Sequence, residues 1–257
     1  MLLAAYQMKS MVADVSANIE KIAAAAISAS AKGANILVTP ELSLTGYGAG
    51  DSFSSLAFEA SSETMLAVQV ISESTGIALL VGFAEKSEDG LFNSAAFIRK
   101  GFDPVIYRKS HLYGAYEKGH FVASKPMTSL LDIEGIKVGM LICYDVEFPE
   151  NVRRLAKAGA DVILVPTALP EGSDGTFIAQ SVVAVRAFEN QVFIAYTNHV
   201  GSDPLFSYAG LSGIIAPDAK FIDQADALEE KLLFARIKPD DYAQSKTDNS
   251  YLDDVDG

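Results

Sequence analysis

A single cysteine, Cys143, stands in 257 residues, so the chain cannot close an intramolecular disulfide. With only three histidines, His111, His120 and His199, and no second cysteine, it cannot assemble a Cys/His zinc cluster. Its chemistry is therefore expected to need no metal. Positive charge is scarce too: 20 Lys and Arg stand against 33 Asp and Glu, a formal charge of -13 at pH 7. Proteins that wrap nucleic acid set Lys and Arg against phosphates, so nucleic acid is not an expected partner. The excess acid reads as a solubilising surface, and the acidic end, Asp253, Asp254 and Asp256, is too short for an interaction tail. Long apolar runs are missing as well. The longest uncharged one, Ile22 to Ala31, is too short to cross a bilayer, and no basic region precedes the apolar stretch Met1 to Gln7. No membrane contact is expected, and a cytoplasmic location is the default. There is no Pro- or Ser-rich linker, low-complexity segment or short repeat. One domain over residues 1–257 is expected, with 239–257 a polar C-terminal extension.

What the chain does have is an ordinary globular composition, 49% hydrophobic and 21% charged, on a length that can bury a substantial core. Runs rich in Val, Ile and Leu predict buried strands at 2–7, 35–39, 77–83, 94–99, 138–143, 161–166 and 192–198. Between them, apolar residues at helical spacing predict helices: Ile19, Ala23, Ala26 and Ile27 over 16–32, Leu66, Val70 and Ile71 over 62–74, and Ile178, Val182, Val185 and Phe188 over 175–190. A further helix over 150–158 is opened by Pro149 and closed by Gly159. The pairs 94–99 with 105–107 and 213–216 with 221–223 read as antiparallel hairpins. Strands alternating with helices, plus these hairpins, imply a layered α/β fold with mixed sheets.

Three segments carry residues able to do chemistry. Glu41 follows Pro40 at the C-terminal end of a strand, where α/β folds build ligand sites. It is a candidate base and equally a solvated loop acid. Tyr107 to Leu112 is a basic cluster ahead of a Gly- and aromatic-rich loop holding Tyr113, Tyr116 and Glu117. Lys109 could stabilise an oxyanion, with Glu117 keeping it charged or oriented, although the same residues also read as a surface ion-pair cluster. Cys143 ends the strand over 138–143. Lone cysteines are mostly core fillers, but a strand-to-helix junction can face a cleft whose backbone N–H groups favour a thiolate. The acids that follow, Asp145 and Glu147, push the other way. Histidine is the usual partner of a cysteine nucleophile, and on these residues alone a Cys143/His111 pair stays open.

Taken together, Pro40-Glu41, Tyr107-Arg108-Lys109 and Ile142-Cys143-Tyr144-Asp145 resemble, in order and context, the three signature segments of the nitrilase superfamily of carbon–nitrogen hydrolases. Gly82-Phe83-Ala84-Glu85 with Asn93-Ser94, Phe148-Pro149-Glu150, Arg186 to Asn190 and Gly210-Leu211-Ser212 extend the likeness over nearly the whole chain. The resemblance implies a four-layer αββα sandwich with mixed sheets, commonly paired into a homodimer. It implies a catalytic set of Glu41, Lys109 and Cys143 with Glu117 as a second glutamate, and it sets His111 aside. In that scheme Cys143 attacks the carbonyl carbon, Glu41 carries protons, Lys109 with the Tyr144 N–H holds the oxyanion, and no cofactor takes part. Tyr47, Tyr116, Tyr144, Thr167 and Ala168 are the expected substrate-binding residues.

The substrate implied is a small aliphatic or amino-acid amide, with water as the second reactant and a carboxylic acid and ammonia as products. Tyr-Asp after the nucleophile, rather than the Trp-Glu of true nitrilases, favours amides over nitriles. Nitrile or N-carbamoyl hydrolysis is the alternative. A catalytically silent binding protein on the same fold, or an ammonia-supplying domain of a larger synthetase, are further readings. The chain departs from the pattern at its end, where Tyr251-Leu252-Asp253-Asp254 stands in place of the arginine-rich segment of many amidases.

Overall fold

The computed structural model describes residues 1–255; Asp256, the last of the acids noted above, and Gly257 lie outside them. The first strands, β1 (Leu2–Gln7), β2 (Ile36–Val38), β3 (Ala78–Ser87), β4 (Gly90–Ile98) and β5 (Val105–Arg108), lie side by side in that order. Next come β6 (Leu131–Ile133), β7 (Ile136–Met140), β8 (Val162–Thr167) and β9 (Phe193–Asn198), then a two-stranded ribbon of β10 (Val200–Ser202) and β11 (Ser207–Ala209), then β12 (Gly213–Ile215) and β13 (Phe221–Gln224). These build a second six-stranded sheet in the order β13-β12-β9-β8-β7-β6. The last strand, β14 (Lys231–Arg236), returns to the first sheet and pairs antiparallel with β1, Leu3 opposite Ala235. In both sheets the central pairs are parallel, β1/β2/β3 and β7/β8/β9, and the flanking pairs are antiparallel, including both expected hairpins.

The two sheets pack face to face, and period-2 alternation decides which side chain goes where. Leu3, Ala5, Ile36, Val38, Leu80 and Phe97 point inward and share one core with Val138, Met140 and Leu164 of the opposite sheet. Their neighbours Ala4, Leu37, Leu79, Val81, Phe83 and Ile98 point outward, beneath helices Val15–Ala31 and Glu63–Thr75. Helices Pro149–Lys157 and Val183–Asn190 cover the second sheet through Val152, Leu155, Val183 and Ala187. The result is a four-layer αββα sandwich, and strands with helices on their outer faces explain why β2 and β8 read as unbroken apolar runs.

The helices keep part of the expected stripes: Ala26 and Ile71 are buried, and Ile19 and Ala23 pack against the same core. Ile27, Leu66, Val70 and Val185 are exposed, between 50% and 62%, while Ile22, Ala26, Met65, Val68, Ala184 and Ala187 face the sheets. Apolar residues stand on more than one side of these helices, and packing against the sheets selects among them. In the 175–190 segment the reason is also local, because a π turn at Ile178–Val182 shifts the phase of everything after it. The strand expected to reach Cys143 stops at Met140, since the chain must turn there to begin a 3-10 turn at Cys143–Glu147. Near the C-terminus, short helices fold back so that Tyr242 meets Phe193 edge-on and Tyr251 meets Phe188. Among the described residues no helix is long and apolar enough to cross a membrane.

One glycine fixes the approach of a site loop to the sheet. A Cβ on Gly82, in β3, would run into the Leu42 amide nitrogen and stand 2.5 Å from the Pro40 carbonyl oxygen. Backbone on both sides of Glu41 therefore lies directly on β3. Gly82→Ala is expected to destabilise the fold by about 1–3 kcal/mol, as overpacking does, and to displace Glu41. Chemical denaturation measures the first effect, and an unchanged midpoint would show that the loop yields freely.

Candidate active site

Three chain segments deliver ionisable side chains to one buried point. Glu41 sits in the turn after β2, where Leu42 holds φ +50 and Ser43 N–H donates to the Pro40 carbonyl. Lys109 follows β5, its N–H bonded to the Asn93 carbonyl at 2.8 Å. Glu117 comes from the short helix Gly114–His120. All three side chains are fully buried. The Lys109 ammonium lies 2.6 Å from Glu41 Oε1 and 2.7 Å from Glu117 Oε1. Asn93 Nδ2 donates to Glu41 Oε1 at 2.6 Å, Tyr47 OH donates to Glu117 Oε1 at 2.9 Å, and Tyr113 N–H donates to Glu117 Oε2 at 2.9 Å. Glu41 Oε2 is buried and has no hydrogen-bond partner among the described residues.

These surroundings set the charges. Burial would lower the pKa of Lys109, but Glu41 and Glu117 together hold it well above its ordinary value, so it stays an ammonium. Glu41 is pushed up to about 7, because burial and the nearby Glu117 outweigh the attraction of Lys109 and the Asn93 hydrogen bond. The Cys143 thiol is also held well above its usual range, chiefly by burial and then by Glu41, against the pull of Lys109 and of the Ala168 N–H. At rest the arrangement is a thiol beside a carboxyl group poised near neutrality.

Cys143 begins its 3-10 turn with φ +45, in the left-handed region that a residue with a Cβ rarely adopts. What holds it there is Asp145. Its Oδ2 accepts from Ile142 N–H at 3.2 Å and Tyr107 OH at 2.8 Å, and its Oδ1 accepts from Ser110 Oγ at 2.7 Å and His111 N–H at 2.9 Å. Burial would raise the Asp145 pKa, but hydrogen bonds from His111, Ser110 and Tyr107, with the Lys109 charge, hold it below the usual carboxylate range. One carboxylate thus ties the Cys143 turn to the loop that carries Lys109. His111 is occupied by this role: Nδ1 lies 2.9 Å from Asp145 Oδ1 and the ring stacks on Phe148, which removes it as a partner for the thiol.

A pocket of about 260 Å³ opens onto Cys143, and Tyr47, Tyr144 and Ala168 line it as expected from the sequence. Tyr116 and Thr167 do not. Tyr116 stands behind Tyr47, its OH donating to the Tyr47 carbonyl at 2.7 Å, and Thr167 is buried at the end of β8 with its hydroxyl turned to the Val165 carbonyl. Other contributors were not among the expected site residues. Asn93 holds Glu41, the Tyr113 N–H holds Glu117, Asp145 holds the Cys143 turn, and His199 Nε2 donates to the Glu41 carbonyl at 2.6 Å. Burial lowers the His199 pKa to about 4, so it remains neutral and fixes the Glu41 turn from behind.

Removing the central cation would strand two buried carboxylates. Lys109→Met is expected to destabilise the fold by roughly 3–5 kcal/mol at pH 8, and by less at pH 5, where Glu41 takes up a proton. Denaturant titrations at the two pH values measure this, and equal losses at both would contradict the charge assignment.

Comparison with known proteins places this geometry. The carbon–nitrogen hydrolase family model matches residues 2–247. A protein of Pseudomonas protegens described as "Hydrolase in pqqF 5'region" is 38% identical, over 99% of this chain and 88% of that protein. A nitrilase of Pyrococcus abyssi is 34% identical over 81% of this chain and 79% of its own length. Among solved structures, a Glu-to-Gln mutant of the amidase from Nesterenkonia sp. AN1, which carries the product of Michael addition of acrylamide at its active-site cysteine, superposes with a TM-score of 0.87. It is 30% identical and the match covers 99% of this chain and 96% of that one. A near-complete family match, the two-sheet sandwich and the buried Glu, Lys and Cys together make this chain a carbon–nitrogen hydrolase of the nitrilase superfamily.

Proposed function

We propose that the chain is an amidase that hydrolyses a small aliphatic or amino-acid amide to a carboxylic acid and ammonia through a thioester on Cys143. The observation that carries the reading is Glu41 Oε2, an unpartnered buried oxygen on a carboxyl group poised near pH 7, held within electrostatic range of a buried thiol. As Cys143 Sγ bonds to the amide carbon, its proton passes to Glu41. The carbonyl oxygen becomes an oxyanion. Lys109 has three N–H donors and two are taken by Glu41 and Glu117, which leaves one for this oxygen, with the Tyr144 N–H as the second donor. Such a donor contributes about 3–4 kcal/mol to the transition state in comparable sites. When the C–N bond breaks, Glu41 returns the proton to the departing nitrogen and ammonia leaves. Water then gives a proton to Glu41 and attacks the thioester, and cleavage of the C–S bond restores the thiol and frees the acid. Glu117 holds Lys109 and forms no bond to the substrate.

The pocket of about 260 Å³ supports a small acyl group. The Tyr144-Asp145 context supports amides over nitriles and N-carbamoyl amines, which stay as the competing substrates. A homodimer and a cytoplasmic location, implied by resemblance and composition, belong to the same proposal.

Ammonia release from a panel of short amides, nitriles and N-carbamoyl amines tests it. Amides are expected to react fastest, and Cys143→Ala to lose about ten-thousandfold or more of kcat. Equal, residual rates for wild type and Cys143→Ala would remove the enzyme reading. The Glu41 carboxyl must be ionised to take the thiol proton, so kcat/KM is expected to rise with pH through about 7 and to fall tenfold per unit well below it. A flat profile from pH 5 to 8 would exclude Glu41 as the base.

A further inference from the structure

The pocket above Cys143 carries charge of one sign. Its lining includes Glu147, Glu171 and Asp174 and no Lys, Arg or His. Glu171 and Asp174 are exposed at the rim, and Ser173 Oγ touches Asp174 Oδ1 at 3.3 Å. Glu147 is half-buried and lies deeper, because it ends the same 3-10 turn that Cys143 begins. Four residues of such a turn rise about 8 Å, the reach of a short acyl chain. Its backbone carbonyl accepts from Arg186 Nη2 at 2.8 Å, but its carboxylate has no hydrogen-bond or ion-pair partner among the described residues. Burial raises its pKa, with Lys109 and Arg186 opposing. Neither cation is available to it. Lys109 is held by Glu41 and Glu117, and Arg186 by Glu189 at 3.0 Å together with the Val146 and Glu147 carbonyls.

A half-buried carboxylate that gives up water and gains no partner is costly, and a ligand bringing its own cation removes that cost. The same pocket offers walls for the rest of such a ligand. The Tyr113 and Tyr144 rings both line it, their centroids 5.2 Å apart, and can flank a methylene stem or face an ammonium. An acyl chain carrying a carboxylate would meet three like charges and no opposite one.

We propose that Glu147 is a specificity-determining residue that binds a protonated amine on the acyl part of the substrate, so that the preferred amides are short amino amides. The inference rests on the amidase reading above and goes on to name the substrate's charge.

The test compares ammonia release from the series glycinamide to 6-aminohexanamide with length-matched unsubstituted amides and with the monoamide of pentanedioic acid. For the best-matched length, wild type is expected to favour the amino amide by about tenfold in kcat/KM, mostly through KM, and to disfavour the acid monoamide. The preference is expected to shrink as salt is raised. In Glu147→Gln the ratio of amino amide to plain amide is expected to fall to about one, and Glu147→Asp to keep part of it. Each ratio is taken within one protein, so a general loss of folded enzyme cancels. A wild-type ratio at or below one at every length, or a ratio unchanged by Glu147→Gln, overturns the role of Glu147 while leaving an amidase. Failure to release ammonia from any amide overturns the amidase reading itself, and this inference with it.

Discussion

The ammonium of Lys109 neutralises two carboxylates that could not otherwise be buried side by side, and the geometry of the site follows from that one requirement. Glu41 arrives from the turn after β2, Glu117 from the helix over 114–120, and Lys109 from the end of β5. Each brings a supporting donor or acceptor: Asn93 for Glu41, Tyr47 and the Tyr113 N–H for Glu117. Buried ionic groups are poor sources of stability, since desolvation offsets most of the attraction. What they supply here is position. A carboxyl group buried beside a cation and a second carboxylate sits near neutrality, able to accept a proton and to return it.

A second buried carboxylate, Asp145, extends the same logic to Cys143. It collects hydrogen bonds from Ile142 on the cysteine turn and from Tyr107, Ser110 and His111 on the lysine loop. Lys109 lies between Tyr107 and Ser110 in the chain, so the residue that pairs with Glu41 and the residues that anchor the Cys143 turn share one short segment. The left-handed backbone at Cys143 is a strained feature of the kind that persists only where its surroundings over-determine it. Gly82 plays the complementary part on the opposite sheet, letting the Glu41 turn lie directly on β3.

Much of the fold was legible because strands buried on both faces leave unbroken apolar runs, and the hairpin pairs announce themselves by short range. Helix phase was legible only in part, because Val15–Ala31 and Glu63–Thr75 carry apolar residues on more than one side and packing alone leaves Ile27, Leu66 and Val70 to solvent. Glu41, Lys109 and Cys143 became legible through the order and context of three segments, none of which decides anything alone. Asp145 and Glu147 read in the sequence as acids opposing a thiolate; in the fold Asp145 is turned away to bind four donors, and Glu147 faces the pocket. Nothing in the sequence tied Asn93 or His199 to Glu41, since their contacts join positions 52 and 158 residues apart. Spacing cannot reveal such pairs.

The central claim is that a covalent bond forms at Cys143 during turnover. Intact-mass measurement of the wild-type enzyme, quenched during hydrolysis of a short amide, tests it most directly. The expected result is a mass increase equal to the acyl group, mapped to Cys143 by peptide sequencing and absent from Cys143→Ala. Ammonia released at full rate with no adduct on Cys143, and undiminished in Cys143→Ala, would contradict it.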